Sequence, residues 1–428
     1  MARHWLNRQR LVVYSCAFLA VYVALWGYWI LKLNRGVDPG GVPLGSDFIT
    51  FWGASHLALS GHAASAYDPQ LILPAERAAI PWADFKAILS WQYPPTFLLL
   101  VLPLALLPYF PSLLLFLGAS FAAWLAVQRR ILPRREALLP LLAFPGVFVN
   151  AGAGQNGFLT AALLAGALLL LDARPLLAGV LIGILTIKPQ LGLLLPLALA
   201  CGRYWRVLAF AAAAAAAFLA LSLAVLGPGT LQAFAARLPV LAQWLAQGNL
   251  PLRLMPTFYA MTRLLGAPAA VAAAVQGAAA LFAAGAVAWI WLRCADRSLR
   301  NAGLIAGTLL VSPYLYDYDL VCLAPALAWY VEHALRKGWH RGERELLVAV
   351  WLLPGAALVW HYLLHLQPSA LLLLVFLLMI LRRAGEEASQ ATAMKNSGEL
   401  STMPDSAQRA GMPERAAPTR NGSSTGRM

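Results

Sequence analysis

Carboxylates are scarce in this sequence. Its 428 residues hold 18 Asp and Glu against 32 Lys and Arg, and charged side chains make up only 12% of the whole. A chain 61% hydrophobic, with a mean hydropathy of +0.68, lacks the polar surface that a soluble domain needs. Cysteine is also sparse. Cys16, Cys201, Cys294 and Cys322 lie in or beside apolar runs, without the spacing of a metal or dithiol site, and read as small apolar residues. No Gly-rich strand–turn–helix signature is present, which leaves a nucleotide-sugar site without its usual carrier. Asp317 and Asp319 are the nearest approach to a Mg²⁺ or Mn²⁺ pair; no cofactor and no metal are expected.

What the sequence does contain is apolar runs of membrane-spanning length, repeated from end to end. The first covers residues 11–31 and follows a basic N-terminal segment with Arg3, Arg8 and Arg10. It is too long for the core of a signal peptide and reads as a retained helix with a cytoplasmic N-terminus. The net charge of +14 does not point to nucleic acid, because of where the charge lies. Basic residues cluster at Arg129, Arg130, Arg134 and Arg135; at Arg203 and Arg206; at Arg293, Arg297 and Arg300; at Arg336, Lys337, Arg341 and Arg344; and at Arg382 and Arg383. Between clusters lie pairs of apolar segments, which is the positive-inside pattern. The spacing predicts helices near 11–31, 137–150, 157–171, 175–187, 189–201, 207–226, 268–292, 301–312, 320–335, 346–364 and 369–381, the shorter ones extending into their flanking loops. The Pro-interrupted region 94–128 reads as one net crossing, part of it broken or re-entrant. The expected fold is an all-α polytopic membrane protein of about 12 transmembrane helices with both termini inside. The membrane domain covers residues 1–383, with a long first outside loop at 33–92. The Ser-, Pro- and Arg-rich segment 384–428 reads as a disordered cytoplasmic tail.

This topology puts Asp38, Asp47, Asp68, Glu76, Asp84, Asp317 and Asp319 outside. In the first loop, Ser46 is positioned to cap a short helix through residues 48–59, and a second helix follows Pro69; both read as amphipathic helices lying on the membrane surface. Asp47 then sits in the first turn, where a carboxylate suits the helix dipole or serves as a base. Asp68 precedes Pro69 and reads as a helix cap. Three further outside segments carry polar groups. Asn150-Ala-Gly-Ala-Gly-Gln155-Asn156 offers amides to a sugar or phosphate, or is a plain turn. Lys188, isolated between apolar runs, is costly unless it snorkels or meets an anion. Ser312-Pro-Tyr314-Leu-Tyr316-Asp317-Tyr318-Asp319 can bind sugar hydroxyls or a cation, or form an aromatic belt. The Ala211–Ala217 run reads as a close-packing helix face.

Taken in order, these motifs resemble the polyprenol-phosphate-sugar-dependent glycosyltransferases of family 87, the group that includes phosphatidylinositol-mannoside mannosyltransferases. The resemblance rests on Ser46-Asp47-Phe48 through Trp52, Gly61-His62 through Tyr67-Asp68-Pro69, Tyr93-Pro94-Pro95, Gly154-Gln155-Asn156, Ala178-Gly179 through Lys188-Pro189, and Ser312-Pro313 through Asp319. It implies a GT-C fold with the catalytic acid in the first outside loop, at Asp47. It also implies a polyprenyl-phosphate-linked sugar as donor, a glycolipid or glycan acceptor, and a periplasmic active site on a bacterial inner membrane. Many relatives have a histidine after the late Ser-Pro where this chain has Tyr314. That shifts the donor-phosphate contact toward Lys188, Arg253 or Arg263. Tyr93, Gln155, Asn156, Tyr314, Asp317 and Asp319 complete the expected substrate-binding set.

The residues support that chemistry independently. A sugar phosphate carries its leaving group already, so transfer needs donors at the phosphate and a base for the acceptor hydroxyl. One base without a carboxylate nucleophile gives a single inverting displacement. The competing readings are a transporter or lipid-linked sugar flippase, and a membrane scaffold. Transporters place ionisable groups near the bilayer midplane with repeat symmetry; here the polar motifs sit at helix ends.

Overall fold

The computed structural model describes residues 5–39, 41–82 and 90–396. Asp84 and residues 397–428 of the tail lie outside them. Among the described residues the chain is helical, and its only extended pairings are isolated bridges at Asn34, Val37 and Pro43. In chain order the α-helices are α1 (Arg8–Lys32), α2 (Phe48–Leu59), α3 (Pro69–Ala79), α4 (Pro95–Val101), α5 (Tyr109–Ile131), α6 (Leu138–Leu142), α7 (Pro145–Ala153), α8 (Gly157–Leu170) and α9 (Pro175–Ile184). They continue as α10 (Leu195–Cys201), α11 (Trp205–Leu226), α12 (Gly229–Gln247), α13 (Phe258–Leu264), α14 (Ala269–Arg293), α15 (Arg297–Val311), α16 (Leu323–Lys337), α17 (Glu343–Val359) and α18 (Ser369–Asn396).

Five helices among these residues are long and apolar enough to cross a membrane alone: α1, α5, α11, α14, and α17 with its π turn to Leu364. Counting α6 and α7 as one span bent by 46° gives six. The expectation of about 12 crossings needs the shorter runs to extend into their loops; the run at 369–381 does so, as α18, but others stop short. α8 starts at Gly157, just beyond the left-handed Gly154, and stops at Leu170; the next run breaks at Lys188-Pro189, and α15 ends before Ser312-Pro313. Gly and Pro interrupt the backbone pattern at each of these points. The 94–128 region divides as expected into a short broken part, α4 with the 3₁₀ turn Leu102–Leu106, and one long helix, α5. The chain is a multi-pass membrane protein.

Small residues bring the helices together. A Cβ added at Gly179 of α9 would lie 2.4 Å from the Phe210 Cβ of α11, and one at Gly183 would lie 2.5 Å from the Ala214 Cβ. The Ala-rich run is therefore a close-packing face. Two first-loop expectations change. Helix α2 does not lie on a surface: Phe48 through Ser55 are all buried, and Trp52 donates its indole N–H to the Leu107 carbonyl at 2.9 Å. A helix apolar on all sides belongs in a core. Ser46 does not cap it; Asp47 holds the cap position, without a side-chain capping bond. Asp68 does cap α3, accepting from the Gln70 N–H at 2.8 Å.

Polar groups sort to the two ends of the bundle. At one end, Trp5 bonds Glu345, Arg8 pairs with Glu136, Arg297 with Asp172, Arg336 with Asp296, and Arg383 with Glu343. These contacts draw basic clusters from distant parts of the chain together, and Tyr204, beside Arg203, bonds the same Asp172. α18 continues past the expected boundary at Ala384 to Asn396; its Glu386 and Glu387 pair with Arg382 and Lys337, which favours the extra turns. At the other end, the start of α2, the start of α5, the α7–α8 turn and the start of α16 meet.

Candidate active site

Asp47 is positioned by backbone. Its N–H donates to the Ala153 carbonyl at 3.0 Å, while Tyr109 donates its hydroxyl to the Leu44 and Gly45 carbonyls at 2.6 and 3.0 Å. Gly154 ends α7 at φ +70°, and a Cβ there would lie 2.9 Å from both the Gly45 Cα and the Phe48 Cβ. Only glycine combines that left-handed turn with so close an approach. The α7–α8 turn and the start of α2 are thereby held against each other.

Across that contact Gln155 donates its amide N–H to Asp47 Oδ2 at 2.8 Å, and Ser46 donates to Oδ1 at 3.2 Å. Gln155 is itself fixed. Its Oε1 accepts from the Tyr93 hydroxyl at 3.0 Å and from the Asn156 N–H at 3.0 Å, and its carbonyl accepts from Asn150 Nδ2 at 3.1 Å. Asn150 Oδ1 accepts from the Gly157 N–H at 2.8 Å. Every amide orientation here follows from a donor–acceptor partner. Burial raises the Asp47 pKa, opposed by the Gln155 and Ser46 hydrogen bonds and the Lys188 charge. Burial also raises the Tyr93 pKa, reinforced by the Asp47 and Asp319 charges, so the phenol stays a donor.

A second group adjoins the first through Asn156. Lys188 Nζ donates to Asn156 Oδ1 at 3.3 Å and to Asp319 Oδ1 at 2.5 Å, and lies 4.7 Å from the centre of the Tyr318 ring. Lys188 is 2% exposed and Asp319 0%. The sequence leaves Lys188 either to snorkel or to meet an anion; in the structure it meets Asp319. Asp319 Oδ2 also accepts the Tyr316 N–H at 3.2 Å, which closes the 3₁₀ turn Asp317–Cys322. Asp317 accepts from the Tyr318 N–H at 2.8 Å; burial, with the Asp47 and Asp319 charges, pushes its pKa up to about 7. Tyr314 bonds Gln92 and meets Tyr316 edge-on, and Tyr316 stacks on Tyr318.

Asp47, Tyr93, Gln155, Asn156, Lys188, Tyr314, Asp317 and Asp319 thus share one end of the molecule. Arg253 and Arg263 do not join the network. Arg253 Nη1 lies 3.0 Å from His365 Nδ1, and Arg263 bonds the Ala267 and Ala246 carbonyls. Asn150, Ser46 and Gln92 are members that sequence reasoning did not single out as site residues. Asn150 opened the very motif that was chosen, and its five-residue spacing from Gln155 was the available signal. Among the described residues, no group of three or more His, Cys, Asp or Glu is placed to hold a metal ion.

The sequence pattern of glycosyltransferase family 87 matches residues 91–313, just over half of the chain. This chain belongs to that family. It is a GT-C type group of polyprenol-phosphate-sugar-dependent mannosyltransferases. No curated protein and no solved structure matches the chain. The chain is therefore a membrane glycosyltransferase, and family membership favours transfer over transport or scaffolding. The matched segment of the glycosyltransferase contains Tyr93, Gln155, Asn156 and Lys188. It stops before Tyr314, and Asp47 lies upstream of it.

Proposed function

We propose that this glycosyltransferase moves a hexose, of the mannose class, from a polyprenyl-phosphate donor to a periplasm-facing glycolipid or glycan acceptor, with Asp47 as general base. One observation carries the reading. The Gln155 amide, inside the family segment, holds an oxygen of the first-loop carboxylate at 2.8 Å. A general base needs a partner that orients it without protonating it, and a neutral amide N–H does that. The other two carboxylates are committed elsewhere. Asp319 is neutralised by Lys188, and Asp317 caps its own turn. Asp47 is the one that stays partly exposed.

In this mechanism the acceptor oxygen attacks the anomeric carbon as its proton passes to Asp47. The bond from that carbon to the phosphate oxygen breaks, and its electron pair leaves with the polyprenyl phosphate. Attack opposite the leaving group inverts the anomeric centre. Hydrogen-bond donors at the phosphate stabilise the departing charge; the phenols of Tyr314 and Tyr316 are candidate donors, and Arg253, on the segment packed against them, and Arg263 of α13 are the candidate cations. The Lys188–Asp319 pair holds the wall in shape. The basic end faces the cytoplasm, as the positive-inside pattern favours, with both termini there.

The test is Asp47→Asn, assayed with a radiolabelled polyprenyl-phosphate mannose and membrane-derived acceptor. The substitution keeps shape and removes basicity. Transfer should fall by at least ~10²-fold while donor binding is kept. A folded Asp47→Asn protein with near-normal transfer would sink the assignment.

A further inference from the structure

The end of the bundle opposite Asp47 carries a feature that the transfer chemistry does not use. A cavity of about 720 Å³ opens between α1, α6, α16 and α17. Its walls are apolar, with Leu11 and Phe18 on α1, Leu141 on α6, Leu327 and Val331 on α16, and Trp351 on α17. Arg8, Arg134 and Arg344 stand at its polar margin. A second cavity, of about 280 Å³, shares Leu132, Arg134 and Leu141 with the first and adds Arg129 and Arg135. The two adjoin across those shared residues, an apolar slot beside a basic pocket.

The charges at the pocket are not neutralised. Glu136 is the single acid lining the recess, and it pairs with Arg8 at 3.4 Å. Arg344 lies over the Trp339 ring, 4.9 Å from its centre. Arg129, Arg134 and Arg135 are exposed and form no ion pair with a described residue. The slot is also open to the bilayer. Only 6% of the spanning window of α1, one of its walls, is buried inside the protein. A water-soluble partner would have to enter hydrocarbon to reach it; an acyl chain is already there.

We infer that this recess binds one anionic phospholipid, its acyl chains along the slot and its phosphate among Arg129, Arg134 and Arg135. Guanidinium is the cation best matched to phosphate, through paired N–H donors. Basic pockets between membrane helices are where anionic head groups are held. The site is separate from Asp47 and independent of the identity of the sugar donor.

The experiment is native mass spectrometry of the detergent-purified full chain, titrated with dioleoyl phosphatidylglycerol and with dioleoyl phosphatidylcholine. One phosphatidylglycerol should be retained at concentrations where phosphatidylcholine is not. Arg134→Ala and Arg135→Ala should each weaken that retention by about fivefold, the contribution of one cation near an anionic head group. Both residues are exposed, so the variants keep the fold. Val348→Trp, which fills the slot, should reduce retention of either lipid. Equal retention of the two lipids would overturn the proposal, as would unchanged phosphatidylglycerol affinity in the arginine variants. Displacement of the lipid by millimolar inorganic phosphate would reassign the pocket to free phosphate. Tighter retention of a polyprenyl phosphate than of phosphatidylglycerol would reassign it to the donor lipid.

Discussion

Replacing Lys188 by Met removes one half of a buried ion pair and leaves the other half stranded. The two side chains are 3% and 1% exposed and 2.5 Å apart. Without the ammonium, the Asp319 carboxylate keeps only the Tyr316 N–H, at 3.2 Å. Breaking such a pair from one side costs about 3–5 kcal/mol, because an uncompensated charge remains in a medium of low polarity. The reverse change, Asp319→Asn, strands an ammonium that still has Asn156 Oδ1 and the Tyr318 ring face, and should cost less. Removing both charges, in Lys188→Met with Asp319→Leu, should recover most of the loss. The assay is the thermal denaturation midpoint of the detergent-purified protein, followed by tryptophan fluorescence. A clear drop is expected for Lys188→Met and a smaller one for the double variant. A Lys188→Met protein with the wild-type midpoint, but with weakened donor binding, would refute this account. It would favour Lys188 as a ligand of the donor phosphate.

Three further outcomes follow from the geometry. Asp47 must be ionised to act as a base and its pKa is raised by burial, so kcat/KM should fall with falling pH at values above the ordinary carboxylate range. A carboxylate whose folded pKa is raised binds its proton more tightly when folded, so Asp47 favours the folded state at low pH and gives up that contribution as pH rises through its folded value. Activity should therefore drop on acidification before the denaturation midpoint does, and coincident loss of both would count against Asp47 as the titrating group. Gly154→Ala puts a Cβ into a left-handed turn 2.9 Å from the Gly45 backbone; it should lower transfer by separating Gln155 from Asp47, and unchanged turnover would mean that the turn relaxes freely. A cysteine introduced beside Tyr67 should react with an impermeant maleimide in intact cells while one at Gly342 is protected, and the opposite pattern would invert the topology.

Much of the site was legible because each member sat in a short polar motif against an apolar background. Asp47, Gln155, Asn156, Lys188 and Asp319 stood out for that reason. Their partnerships were not legible. Gln155 and Asp47 are 108 positions apart and Lys188 and Asp319 are 131 apart, and no local pattern encodes a contact across such distances. The Lys188 ion pair was missed because the cost of a lone buried cation says that it has an anion, not which one. Helix positions followed from apolar runs, and α2 over Phe48–Leu59 was placed to the residue. Its environment was misjudged, since Phe48, Phe51 and Trp52 fit an amphipathic face as well as a buried helix until Ile49 and Ala54 are also seen to be covered. Helix α12 was passed over because Pro239, Arg237 and the glutamines break its apolar signal, yet the helix runs through Pro239. Of the 12 crossings expected, five or six stand out by length and composition among the described residues, because composition does not report where a helix stops.

The shortness of α15 and α16 has a consequence for how the reactants arrive. Each has 15 residues, which at about 1.5 Å per residue is roughly 22 Å of length. A bilayer has a hydrocarbon layer of about 30 Å. With Arg297 anchoring its far end among polar groups, α15 stops short of the opposite face of that layer at Val311, while the 3₁₀ turn Asp317–Cys322 runs on into α16 and makes up the difference there. Irregular backbone at such depth is tolerated only where protein surrounds it, and these residues are buried. On the function proposed above, a reaction at this turn would be reached from the side by a donor with a lipid tail and from the open end of the bundle by a polar acceptor.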